Sequence, residues 1–240
     1  MVVDNGRSIA EHRLFGKRLP PWHDRHMSFL RLFFENPLLF LAFVAIFIFS
    51  LSIHEFCHAL MARALGDRTA ERMNRLTINP IAHIDPMGLL AVVILGFGWA
   101  RPVPFNPYNL KYPKWGPFFV AAAGPLSNIT LGILGSIAWA LALPILGPMN
   151  LLVFCLQQLA LLNFTLALFN FIPLPPLDGS KAITAIFSAS KYAAFRLWIE
   201  KDGAKFLFVL LIADMALSLN LFGWIGAGSS RLFQFFSALL

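Results

Sequence analysis

The chain has 240 residues, of which 58% are hydrophobic and only 13% are charged. Soluble domains carry about a quarter charged residues, so this composition excludes an ordinary soluble domain and indicates a polytopic membrane protein. The net charge of +7 could suggest nucleic acid as a partner, but the sequence has no basic stripe with interleaved aromatic residues. Its basic residues lie between the hydrophobic runs, as expected beside anionic lipid. We therefore expect the lipid bilayer, and no nucleic acid, as a partner.

The first 36 residues are mixed polar and basic, and we expect residues 1–36 to form a polar or interfacial segment. Asn36 and Pro37 then open a long apolar run, because proline is tolerated in the first turn of a helix. We predict a first spanning helix from Pro37 to about Leu65, ended by Gly66-Asp67.

This predicted helix contains the sequence His54-Glu55-Phe56-Cys57-His58. The two histidines are four residues apart, so on a helix they project from one face and can bind one zinc ion together. Glu55 lies about 100° around the same turn, where it can act as general base on a water. Two alternatives remain open: a chance match whose histidines bond neighbouring helices, and a thiolate ligand at Cys57. Ionisable residues at membrane depth nevertheless indicate function by default.

The segment that follows is irregular. Residues 76–78 suggest a short strand, and residues 87–100 form an apolar run that is too short to cross a bilayer. We interpret that run as a re-entrant or β-hairpin-like membrane segment. Residues 99–107 carry three prolines and predict an extended strip that cannot be a regular helix.

Three further spans are predicted, at about residues 116–143, 149–172 and 206–225. Small residues in the first of them favour close helix packing within lipid. The predicted fold class is therefore an all-α polytopic membrane protein, with about four spanning helices plus the re-entrant or β-hairpin-like segment. Residues 227–240 are predicted to be an amphipathic C-terminal tail.

Two imidazoles leave zinc short of a third protein ligand. The acidic residues at or near membrane depth are Asp85, Asp178 and Asp214. Asp178 follows three prolines that break the helix, so its carboxylate can turn towards the bundle, and Gly179 permits the bend. A plain turn or a helix cap is the alternative for Asp178-Gly179.

At this point the chain resembles the site-2 proteases, a family of intramembrane zinc metalloproteases. The resemblance covers about residues 45–182 and lies in five motifs taken in order. These are His54 to His58, Asn79 to Gly88, Trp99 to Asn109, Gly124-Pro125-Leu126-Ser127-Asn128, and Asn170 to Gly179 with its Leu177-Asp178-Gly179. Two of these motifs, Asn79 to Gly88 and Trp99 to Asn109, resemble a compact bacterial and archaeal subgroup that lacks PDZ and CBS domains.

The resemblance implies a function for each matched residue. His54, His58 and Asp178 would bind Zn²⁺, and Glu55 would be the catalytic acid/base. Asn128 and Asn170 fall at positions that suggest contact with the substrate or the oxyanion. Residues 37–226 would form the intramembrane metalloprotease domain. The expected substrate is a transmembrane protein or peptide, cleaved within or near its membrane segment in regulated intramembrane proteolysis.

Other functions remain open as alternatives. Broken helices with intramembrane carboxylates also suit an ion or proton transporter, although the two halves show no repeat of hydropathy. Haem binding fits poorly, because two histidines on one turn do not face each other across a haem. A non-catalytic membrane adaptor is the remaining alternative.

We expect a multi-pass protein of the cell (inner) membrane, and the sequence does not predict its oligomeric state. The zinc motif lies towards the far end of the first span, and Asp178 lies just beyond the end of the third. They can meet only if those ends are on one side of the membrane. The chargeless turn at residues 144–150 is expected outside, which places Asp178 near the cytosol and the N-terminus outside.

Overall fold

The structure is a computed structural model that describes residues 33–95 and 98–239. The interfacial prediction for residues 1–36 lies outside this part, apart from residues 33–35, which are helical. The first long helix, α1, spans Pro37–Ala64 and has proline in its first turn. Both boundaries agree with the sequence prediction. After α1 the chain turns at Gly66, whose φ of +106° is a conformation that glycine adopts without strain.

Residues 65–95 and 98–115 form a mainly irregular layer against α1. It contains a four-residue helix, α2 (Thr69–Arg72), and a ten-residue helix, α3 (Pro86–Leu95). The suggested strand at residues 76–78 is wrong, because the chain loops there and the His83 ring hydrogen-bonds the Thr77 carbonyl at 2.7 Å. Ile84 and Ala100 form an isolated antiparallel bridge, so the two ends of the apolar segment lie side by side.

Two further long helices complete the bundle. Helix α4 spans Gly116–Leu146 and α5 spans Leu151–Asn170, and both pack on α1 and on each other. Within the described residues, three helices are long and apolar enough to cross a membrane, namely α1, α4 and α5. The chain is thus a helical protein with the character of a membrane protein.

The C-terminal region differs from its prediction. Helix α6 covers Ser180–Ile186, and α7 covers Ala193–Leu217. The span predicted at residues 206–225 is wrong, because Ser218 and Asn220 adopt positive φ and break the helix. Asp214 stabilises this break by accepting the N–H of Leu221 at 2.6 Å. The predicted count of four spans is therefore not confirmed.

The last helix, α8, spans Gly223–Ser237, so the boundary proposed at residue 226 falls inside it. Its Phe233 is buried with Ala160 and Phe164 of α5, and Trp139 of α4 packs against this cluster. Burial of these apolar groups joins α8 to the helix bundle. No strand forms within residues 33–95 and 98–239, so the hairpin-like prediction for the apolar segment is replaced there by α3 and the single bridge.

Candidate metal centre

Three side chains from distant parts of the chain converge on one point. Nε2 of His54 lies 3.0 Å from Nε2 of His58. Oδ2 of Asp178 lies 3.1 Å from the first nitrogen and 3.3 Å from the second. His54 and His58 are buried, and Asp178 is half-buried. Within the described part of the chain, this is the group of His, Cys, Asp and Glu side chains that could hold a metal ion.

The opposite nitrogens of both imidazoles are already bonded. His54 Nδ1 lies 2.7 Å from Oδ1 of Asn128, and His58 Nδ1 lies 2.7 Å from the carbonyl oxygen of Val120. Both partners are acceptors, so Nδ1 carries the proton in each ring and Nε2 presents its lone pair. Two lone pairs therefore face each other, and a carboxylate oxygen faces both. This arrangement is repulsive without a cation.

The Asp178 oxygen shows the same need for a cation. Oδ2 is buried and accepts no hydrogen bond of acceptable geometry, although both ring nitrogens are close. The inner oxygen of Asp178 is thus a buried acceptor without a donor, which is rare in folded proteins.

The spacing of the three atoms fits a small tetrahedral ion. Tetrahedral zinc with bonds of about 2.0–2.2 Å separates its ligand atoms by roughly 3.3–3.6 Å. The three observed separations are 3.0, 3.1 and 3.3 Å. Two imidazoles and one carboxylate are a donor set of the catalytic zinc type, which leaves one coordination position open. The residues present therefore fit Zn²⁺.

The backbone around Asp178 explains how a residue beyond a helix reaches α1. Helix α5 ends at Asn170, and the proline-rich segment folds back so that Gly179 donates its N–H to the Asn170 carbonyl at 2.7 Å. A Cβ at Gly179 would lie 2.6 Å from the carbonyl oxygens of Phe171 and Ile172. Only glycine fits this close approach, which fixes the direction of the Asp178 side chain.

Helix α4 reaches the histidines through a second glycine. A Cβ at Gly124 would lie 2.5 Å from Nε2 of His58 and 2.6 Å from Nε2 of His54. Glycine therefore allows the α4 backbone to lie directly beside both ligands. Pro125 follows it inside the helix and has no N–H to donate, so the Ala121 carbonyl, next to the Val120 carbonyl that His58 bonds, lacks its usual helical donor.

The general-base candidate, Glu55, is buried and is held by the extended strip. Its Oε2 accepts the backbone N–H of Val103 at 2.9 Å. Arg101 donates its own N–H to the His83 carbonyl at 2.8 Å, and its carbonyl accepts the guanidinium of Arg75. The strip therefore lies across α1 beside the metal-ligand group, as its prolines predicted for an extended segment.

Asp67 anchors the far end of this strip and was missed as a functional position. The fully buried carboxylate accepts from Thr69 twice, from the Asn106 N–H at 2.7 Å and from the Asn109 amide at 3.0 Å. Burial raises the pKa of Asp67, but the hydrogen bonds led by those of Thr69 outweigh it and lower that pKa. An Asp followed two residues later by Thr was the available signal, since this pair forms a local turn.

The remaining predicted site residues, Asn128 and Asn170, differ in how deeply they are buried. Asn128 is fully buried, and its amide bonds both His54 and Asn163. Asn170 is half-buried at the end of α5 and donates to the Leu166 carbonyl of its own helix. Their predicted contact with substrate or oxyanion stays a prediction. Cys57 is half-buried and is not a member of the group that converges on one point.

Comparison with known proteins gives a relative over almost the whole chain. The chain is 36% identical over 214 residues to the Bacillus subtilis protein named "Putative zinc metalloprotease YwhC", an alignment that covers 86% of this chain and 96% of that protein. The chain belongs to the zinc metalloprotease family of YwhC. Proteins named Rip2, from Mycolicibacterium smegmatis and Mycobacterium tuberculosis, carry the same zinc metalloprotease name.

The match to Rip2 is more distant than the match to YwhC. Each alignment is 28% identical and covers 60% of this chain and 56% of the Rip2 chain. No family model and no solved structure matches the chain. Membership of the YwhC family and the convergent side chains are independent observations, and both indicate a metalloprotease.

Proposed function

We propose that this chain is an intramembrane zinc metalloprotease of the site-2 protease type. His54, His58 and Asp178 hold Zn²⁺, and Glu55 is the catalytic acid/base. The observation that carries the proposal is the convergence of two imidazole lone pairs and a donor-less carboxylate oxygen within 3.3 Å. Family membership with YwhC and three helices of spanning length support the same conclusion.

Bound zinc supplies Lewis-acid chemistry, since it lowers the pKa of a water molecule and polarises the scissile carbonyl. Glu55 takes the proton of the attacking water and later delivers it to the leaving amine. Val103 occupies Oε2 of Glu55, which leaves Oε1 to hold that proton. Burial of Glu55 and the two histidines restricts bulk water, so the proton stays on the catalytic groups.

The proposed substrate is a transmembrane protein or peptide. A substrate helix hides its amides in its own hydrogen bonds, so a segment must unwind before it reaches Glu55. The extended strip at residues 99–106 lies beside Glu55 and provides backbone groups along which an unwound segment can align. This arrangement suits cleavage within or near a membrane segment, as regulated intramembrane proteolysis requires.

We further propose a multi-pass location in the cell (inner) membrane, with the Asp178 end of the bundle towards the cytosol. The uncharged turn between α4 and α5 then lies outside. The test uses a variant whose native Cys57 and Cys155 are replaced by alanine and which carries Met149→Cys in the same exposed turn. An impermeant thiol reagent applied to intact cells should label this cysteine. Labelling only after the membrane is permeabilised would reverse the proposed orientation.

The enzymatic proposal is tested with purified protein in lipid and a labelled single-span test substrate. We expect cleavage that a zinc chelator stops and that added Zn²⁺ restores. Glu55→Gln should keep zinc and lose cleavage. Undiminished cleavage in Glu55→Gln, or in the presence of the chelator, would refute the proposal. Zinc binding without any cleavage would favour the adaptor alternative.

A further inference from the structure

Asn163 is fully buried on α5 and lies next to the hydrogen-bond partner of a metal ligand, not next to the metal-ligand group itself. We infer that Asn163 is a positioning residue, which fixes the orientation of the Asn128 amide and thereby the tautomer of His54. The inference rests on the proposed function, because it takes His54 as a zinc ligand.

The hydrogen bonds of Asn163 determine which way its own amide points. Nδ2 donates to the Leu159 carbonyl and to Oγ of Ser50, each at 2.8 Å. These two bonds use both N–H groups of the amide. Oδ1 must therefore point the other way, and there it accepts from Nδ2 of Asn128 at 3.1 Å.

The same reasoning about donors and acceptors then determines the orientation of the Asn128 amide. Since its Nδ2 donates to Asn163, its Oδ1 faces His54, and the distance to His54 Nδ1 is 2.7 Å. An oxygen acceptor at that position requires the proton of the ring on Nδ1. Nε2 of His54 is then free of a proton and presents its lone pair beside His58 and Asp178.

The chain of bonds joins three helices in a region without solvent. Ser50 and His54 belong to α1, Asn128 to α4, and Asn163 to α5. Ser50, Asn128 and Asn163 are all 0% exposed, so bulk water cannot replace a lost partner. Without the acceptor of Asn163, the Asn128 amide can turn over and point its NH₂ group at Nδ1. The His54 proton would then favour Nε2 and block metal ligation.

The test is a double-mutant cycle read out as zinc affinity. Asn163→Leu removes the acceptor and keeps the branching of the side chain at Cγ. We expect zinc affinity, measured by competition with a chromophoric chelator at fixed pH, to fall about 10- to 100-fold, the usual cost of losing an outer partner of a ligand. Ser136→Ala is the matched control, because Ser136 is a fully buried polar residue of α4 whose hydroxyl donates to the Gly132 carbonyl of its own helix. It should bind zinc like the wild type.

The Asn128→Asp background shows whether Asn163 acts through the orientation of the side chain at position 128. Both of its oxygens accept hydrogen bonds, so turning the side chain over no longer changes what His54 meets. In the Asn128→Asp background, Asn163→Leu should weaken zinc binding by less than about threefold. Equal weakening in both backgrounds, or loss of folded protein in both, would show that Asn163 is only structural and would overturn the inference.

This design separates the inference from the proposed function. If the wild type and Ser136→Ala bind no zinc, the assignment of His54 as a ligand fails, and the inference fails with it. If the wild type binds zinc and Asn163→Leu binds it equally well, only the inference is overturned. The visible spectrum of the Co²⁺-loaded protein gives a second readout, which Asn163→Leu should shift and Ser136→Ala should leave unchanged.

Discussion

Val103 donates its backbone N–H to Oε2 of Glu55 at 2.9 Å, across 48 residues of sequence. The neighbours of Val103 are Pro102 and Pro104, which have no N–H. Val103 therefore provides the N–H of this three-residue stretch, and that N–H reaches the proposed general base. The prolines keep the strip extended and leave one donor pointing at the carboxylate.

Val103→Pro should lower cleavage without loss of zinc. The change removes the N–H and leaves Oε2 of Glu55 without its donor, and a hydrogen bond to a charged group contributes about 1.5–3 kcal/mol. We expect the turnover rate to fall roughly 10- to 100-fold, as measured on a single-span test substrate. Val103→Ala keeps the N–H and should stay close to the wild type. A similar loss in both variants would indicate that the side chain, not the N–H, matters.

Glu55→Gln should separate metal binding from catalysis. The amide keeps the size of the side chain but cannot accept a proton, and general-base catalysis contributes about 10²- to 10⁴-fold. Zinc content, measured by mass spectrometry of the metal, should stay at the wild-type level while cleavage falls by that factor. His58→Ala should lose both, since it removes a ligand. Loss of zinc in Glu55→Gln would contradict the separate roles.

Gly124→Ala should weaken zinc binding through a single added methyl group. A Cβ there would lie 2.5 Å from His58 Nε2 and 2.6 Å from His54 Nε2, so the rings must move apart. We expect zinc affinity to fall by at least tenfold, measured by the same chelator competition. Gly226→Ala is the control, because a Cβ at Gly226 meets nothing within 4 Å. Wild-type affinity in Gly124→Ala would show that α4 can move away from the two histidine rings without disturbing zinc binding.

Asp67→Asn should destabilise the protein in a pH-dependent way. The pKa of Asp67 is lowered from 3.8 in the fold, so its ionised form stabilises the fold above that value and this contribution is lost as the pH falls. The asparagine places an NH₂ group where Asp67 accepts hydrogen bonds from Thr69, Asn106 and Asn109, so donors face donors. We expect a lower Tm than wild type at pH 7, and a difference that narrows as the pH is lowered below about 3.8. A constant difference across that range would contradict this role.

Much of the membrane bundle could be predicted from the sequence. Long apolar runs with few charges predicted α1, α4 and α5, because lipid demands continuous helices of sufficient length. The i, i+4 histidines and the proline-rich approach to Asp178 also predicted side chains that could meet, and the structure brings all three together. The order and chemistry of these motifs carried this information without knowledge of the packing.

Two predictions failed where a hydrogen bond between a side chain and nearby backbone overrules the hydrophobic pattern. The run at residues 206–225 is apolar enough for a span, yet Asp214 takes the N–H of Leu221 and the helix breaks at Ser218. The suggested strand at 76–78 is lost to the ring of His83, which bonds the Thr77 carbonyl. Asn163 gave only the signal of a polar residue in an apolar helix, since its partner Ser50 lies 113 residues away.

The most direct measurement of the central claim is the zinc stoichiometry of the reconstituted wild type, Asp178→Ala and Asp202→Ala. Asp202 is the matched control, because its carboxylate lies outside the metal-ligand group and pairs with exposed Lys205. After equilibrium dialysis against Zn²⁺, the account predicts about one zinc per chain in the wild type and in Asp202→Ala, and less than about a tenth of that in Asp178→Ala. Zinc bound by Asp178→Ala with wild-type stoichiometry and affinity would contradict the account.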